Sequence, residues 1–96
     1  MSLSARPWEH RPVFNTNAGS ATLLIAAGVA TMALVISNED ATNSIRVRFD
    51  GDDATATMGL LLPAGRSLYF AEGDVPEGKV SAYATAAVPV SVHYIQ

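Results

Sequence analysis

Residues 18–37 read AGSATLLIAAGVATMALVIS, and the way this run is divided decides the fold. It holds no charge over twenty positions, which meets the length criterion for a membrane-spanning helix. Three features favour strands. Gly28 interrupts the middle of the run. Thr22, Ile25, Val29, Thr31, Val35 and Ile36 are β-branched and stiff about χ1. The flanks carry Asn15, Asn17, Asn38, Glu39 and Asp40 in place of the Lys/Arg cluster that orients a span. The run therefore divides at Ala27-Gly28 into two predicted strands, 21–26 and 29–37.

Downstream, turn signals and alternation take over. Asn38–Ser44 is a turn cluster. Ile45, Val47 and Phe49 then alternate with Arg46 and Arg48, giving a strand with one apolar and one basic face. This alternation puts Phe49 inside, where Phe49→Asp would abolish folding. Asp50-Gly51 signals a hairpin turn that needs positive φ. Residues 54–58 read as a weak return strand, Gly59 breaks it, 60–62 is a short apolar stretch, and Pro63-Ala64-Gly65 turns the chain again. Leu68 and Phe70 oppose Tyr69. Val80, Ala82 and Ala84 oppose Ser81, Tyr83 and Thr85. Val88, Val90, Val92 and Tyr94 face inward, opposite Pro89, Ser91, His93 and Ile95, and Pro89 suggests an edge strand or a bulge near its start. About seven short strands at this spacing predict an all-β domain over 18–96, a small antiparallel β-sandwich or barrel. Residues 1–17, with Pro7 and Pro12, show neither period and predict an extended N-terminal arm. Its Trp8, Val13 and Phe14 need a surface to pack on, either a neighbouring subunit or the arm's own domain.

Composition excludes several classes of function. The 96 residues amount to one domain, and 49% of them are hydrophobic, which is incompatible with a disordered tail. Six Lys+Arg against nine Asp+Glu, a net charge of -3, argue against a basic nucleic-acid module. With no cysteine there is no disulfide framework, no Cys-ligated zinc and no thiol nucleophile. His10 and His93 are the only imidazoles, far apart in sequence, so neither a metal site nor a catalytic triad is expected. Asp50, Asp52 and Asp53 lack the ligand spacing of a calcium loop and read as a solvated turn. No nucleophile elbow or phosphate loop is present, so the chain reads as a non-enzyme without cofactor or metal. Arg46 and Arg48 share one strand face, suited to solvent or to an acidic neighbour. Tyr69 and Tyr83 point outward, suited to a protein interface or to a sugar platform.

Five segments in order carry a resemblance: LVISNED (34–40), IRVRFDGDDATAT (45–57), LLLPAGRSLYF (60–70), SAYATA (81–86) and VPVSVHYI (88–95). In this succession the chain resembles small β-sandwich virion proteins of tailed bacteriophages, the capsid decoration or cement proteins and related head-associated proteins. The resemblance implies a structural protein on the capsid surface of the virion, present in many copies that bind the major capsid protein or another virion protein and bridge capsomers. It also implies a homo-oligomer, with a trimer about a local axis as the expectation. Trp8, Val13 and Phe14 would form the hook, Arg6 and Arg11 its charged rim, and Arg46, Arg48, Tyr69 and Tyr83 further contact surface. Neither nucleic acid nor membrane is a partner in this reading. The alternatives are a head–tail or tail component, a carbohydrate-binding module using Tyr69 and Tyr83, and a small membrane lysis protein using 18–37.

Overall fold

Val88, Val90 and Val92 are wholly buried, and the strand that follows from them organises the domain. In the computed structural model, which describes residues 7–96, the chain forms β1 (Glu9–Asn15), β2 (Ala21–Ile25), β3 (Ala33–Asn38), β4 (Ile45–Arg48), β5 (Leu60–Leu62), β6 (Ser67–Phe70), β7 (Val80–Tyr83) and β8 (Pro89–Ile95). They make two four-stranded antiparallel sheets, ordered β1-β8-β3-β6 and β2-β7-β4-β5. Every connection except β4–β5 passes from one sheet to the other. That is the jelly-roll arrangement of a β-sandwich. Between the sheets lies one core, in which Leu34, Ile36, Val90 and Val92 meet Leu24, Ile45, Val47, Val80 and Ala82.

The uncharged run 18–37 resolves into β2 and β3, joined through a turn in which Gly28 takes φ 76°. No helix occurs among the described residues, so none is long and apolar enough to cross a membrane. Leu24 and Ile25 from β2, and Ala33, Leu34 and Ile36 from β3, are buried. The core has therefore absorbed most of the apolar content that imitates a span, with Leu23 left half-exposed.

Four expectations need correction. Residues 9–15 are not a separate arm: they form β1, the edge strand beside β8, so this part of 1–17 belongs to the sandwich. The pairing shifts register between Arg11 and Phe14, and Pro12 within that bulge supplies no N–H. The bulge breaks the period-two pattern, which is why the strand is illegible in sequence. Secondly, β4 pairs not with 54–58 but with the three residues of β5, through Ile45↔Leu62, Arg46↔Leu61 and Val47↔Leu60. Thirdly, Phe49 lies just beyond β4 and is 39% exposed, packed edge-on against Phe70 at 5.2 Å between ring centroids. The alternation ends at Arg48, so Phe49 is not an interior residue. Fourthly, β8 is a central strand and Pro89 is its first residue, a place where a missing N–H is tolerated. With β1 and β3 on either side, its Ser91 and Ile95 are buried as well.

Asn38, at the end of β3, fixes the turns at one end of the sandwich. It is buried, and its Nδ2 donates to the Asn43 carbonyl at 2.9 Å and the Leu62 carbonyl at 3.1 Å. Its Oδ1 accepts from the Asp40 amide at 3.0 Å. Its main chain exchanges hydrogen bonds with Arg66 and Gly65 of the Pro63-Ala64-Gly65 turn. The side chain thus ties the β3–β4 connection to β5, and the main chain of the same residue holds the β5–β6 turn.

Candidate functional site

Arg46 and Arg48 project from the outer face of β4, as their alternation predicts, but both are bound within the chain. Arg48 donates through Nε and Nη2 to the two carboxylate oxygens of Asp50 (2.7 and 3.1 Å), through Nη2 to Asp52 (3.1 Å), and through Nη1 to the Asp53 carbonyl (3.2 Å). Hydrogen bonding to Arg48 holds the Asp50 carboxyl below the usual carboxylate range, and the same pair raises Arg48. Lys79 pairs with Asp53. Ser81 Oγ accepts from the Ala54 amide at 2.8 Å and donates to the Asp52 carbonyl at 3.2 Å. Arg46 donates to the carbonyls of Ala56 and Gly59, both at 3.1 Å. The acids of 50–53 therefore surround cations of the protein itself. No cluster of three metal-ligating side chains exists among the described residues.

These bonds hold the 49–59 loop in place, and the loop presents apolar surface. Met58 and Leu60 are each 49% exposed, and Leu61 is 50% exposed. Phe49, Met58 and Leu60 flank a shallow, mainly apolar groove of about 310 Å³, floored by Val47 and Gly59, whereas Leu61 lies beside Arg46 on the other face of β5. β5 is the outermost strand of its sheet, and residues 54–65 hold no charge. Sheet edges are ordinarily blunted by charge, proline or a bulge. At this edge the nearest such residue, Pro63, comes only after the strand has ended. Sequence reasoning missed this surface. Its signal was Leu60–Leu62 enclosed between Gly59 and Pro63, a strand too short to bury all three leucines.

The opposite side of the sandwich carries the edge strands β1 and β2. Arg11 is a fastener here: its Nη1 donates to the carbonyls of Leu23 and Leu24 in β2, and its guanidinium lies 3.5 Å from the centre of the Phe14 ring. It bridges the two sheets while remaining exposed. Phe14 packs against the core, whereas Trp8 and Val13 are exposed on this edge. Arg6 lies outside the described residues. A cleft of about 300 Å³ opens beside Arg11, with Leu24, Val29, Val92 and Tyr94 along its wall. At its rim His10 stands directly opposite His93 in the β1–β8 register.

The two tyrosines do point outward, but from different sheets. Tyr69 is on β6 and Tyr83 on β7, so they occupy opposite faces and share no platform. The chain matches no protein-family profile, no curated protein and no solved structure. The case for a function therefore rests on these surfaces.

Proposed function

We propose that this chain is a non-catalytic assembly protein, and specifically a virion structural protein of the capsid decoration or cement kind. The observation that carries the reading is the uncharged β5 edge, with Phe49, Met58 and Leu60 partly exposed around a groove on one face and Leu61 half-exposed on the other. An exposed apolar groove is a usual mark of a protein contact, and an unpaired strand edge adds main-chain hydrogen bonds to that contact. Trp8 and Val13 on the β1 edge supply a second apolar area on the other side. A small domain with contact surfaces on two opposite edges is suited to bridging two neighbours. Repetition over many copies would then supply strength that one small interface lacks. The jelly-roll fold is shared by viral capsid and lectin domains, a fold-level analogy compatible with the reading.

The partners are a shell protein and further copies of this chain, and the location is the capsid surface. Compared with the sequence reading, the weight moves from the N-terminal segment to the sandwich edges. Arg11, Arg46 and Arg48 act as internal fasteners, and the contact residues become Trp8, Val13, Phe49, Met58, Leu60 and Leu61. The test is the copy number of the chain in purified particles from its source, by quantitative mass spectrometry, together with attachment of Leu61→Lys. Copy numbers comparable with the major shell protein, and loss of attachment in a folded Leu61→Lys variant, support decoration. A handful of copies would make it a head–tail component. Absence from particles would refute the virion reading.

A further inference from the structure

His10 and His93 are the only histidines of the chain, separated by most of its length, yet strand pairing makes them neighbours. They are a directly opposed pair across β1 and β8, both exposed, with ring centroids 5.7 Å apart and planes inclined by 27°. Directly opposed residues of an antiparallel pair hold their Cβ atoms about 5 Å apart, so both side chains leave the sheet from nearly one point on one face. Two imidazoles ligating one ion at metal–nitrogen distances of ~2.0–2.1 Å have ring centres ~4.5–5.2 Å apart, from simple ring geometry. The observed separation exceeds that range by less than an ångström. Exposed side chains cover such a difference by turning about χ1 and χ2.

From this geometry we infer that His10 and His93 form a bidentate, cross-strand site for a late first-row divalent cation of the zinc type. Imidazole is a favoured ligand for these ions, and strand pairing already brings both rings together, stacked on one face of the sheet. No third ligating residue joins the pair among the described residues, so water or a donor from another molecule completes the coordination shell. The ion would link β1 to β8 at the open side of the sheet. β1 is an edge strand with a single strand neighbour, so the link would stabilise the folded state in proportion to occupancy. The site is independent of the assembly reading. Neither histidine has a partner nearby in the sequence, and the β1–β8 register supplies one.

The test is titration of zinc chloride into the untagged 96-residue chain, followed by calorimetry and by the NMR signals of the two imidazole rings. The expected result is saturable binding in which both rings respond together and the melting temperature rises with zinc concentration. His10→Ala and His93→Ala should each weaken binding by at least about tenfold, the minimum lost when even an outer-shell partner of a metal site is removed. Both positions are exposed, so both variants should fold, and their melting curves without zinc check this. Asp52→Asn, in the acidic turn, should bind as the parent does. The inference fails if no saturable binding occurs up to millimolar zinc, if either alanine variant binds like the parent, if only one ring responds, or if Asp52→Asn abolishes binding.

Discussion

Replacing Asn38 by alanine removes the most heavily used buried polar side chain of the structure, and the cost can be worked from its bonds. Its amide donates to the Asn43 and Leu62 carbonyls, and its oxygen accepts from the Asp40 amide. At ~0.5–1.5 kcal/mol each, three hydrogen bonds give about 1.5–4.5 kcal/mol. The Leu62 bond is buried, so that carbonyl loses its partner where water does not easily replace it. We therefore expect about 3 kcal/mol of destabilisation. A domain of this length has ~5–14 kcal/mol of total stability, so Asn38→Ala should still fold. Its melting temperature should fall by roughly 12–24 °C, at ~4–8 °C per kcal/mol for a domain of this size. The assay is urea unfolding followed by circular dichroism, with parent and variant slopes compared so that the midpoint shift reads as stability. Asn38→Asp is the companion variant, because a carboxylate facing two carbonyl oxygens repels them. That variant should be less stable than Asn38→Ala at neutral pH and regain stability on acidification, since the protonated acid can donate one of the lost bonds. A loss below about 0.5 kcal/mol in Asn38→Ala, the level of an ordinary surface substitution, would refute the claim that this side chain holds the β3–β4 connection against β5.

Other substitutions check other parts of the structure. Phe49→Asp should fold, losing about 1–2 kcal/mol from its edge-on contact with Phe70, because the position is partly open to solvent; an unfolded variant by circular dichroism would restore Phe49 to the core. Gly59→Ala should cost about 1–3 kcal/mol, because φ is 134° and a Cβ would lie 3.2 Å from Arg46 Cβ and from the Val47 carbonyl; unchanged thermal unfolding would show that the loop relaxes freely. Asp50 should titrate below its ordinary value of 3.8 in carboxylate NMR and move upward in Arg48→Gln. Because folding lowers this acid, its contribution is present above that ordinary value and is lost as pH falls through the lower, folded one. Leu61→Lys should leave stability within about 0.5 kcal/mol of the parent, since the side chain is half exposed, so any lost attachment can be read as lost contact.

Much of the fold was legible because side chains along a strand alternate with period two. The alternation of Val88, Val90 and Val92, and of Val80 and Ala82, marked inward faces that the structure keeps. Gly28 and the β-branched residues around it distinguished two core strands from a membrane helix. The legible residues gave the all-β class and most strand positions. They did not give β1, because Pro12 and the bulge interrupt its alternation, or the end of β4 at Arg48, because a strand's end depends on whether a partner strand continues beside it.

The candidate surfaces were less legible for the same reason. Leu60 and Leu61 look like core by composition; Leu60 is exposed because β5 is the last strand of its sheet, and Leu61 because it shares the outer face with Arg46. Arg46 and Arg48 were readable as one basic face, whereas their bonding to the 49–59 loop depends on how that loop returns. Tyr69 and Tyr83 were readable as outward-pointing, but strand order decides that they face away from each other. His10 and His93 meet only through the β1–β8 register. Side-chain alternation is a local property of the backbone, so the sequence by itself determined which way most strands face. Strand order, edges and cross-strand neighbours depend on pairing between distant segments, and the tertiary structure alone decided them.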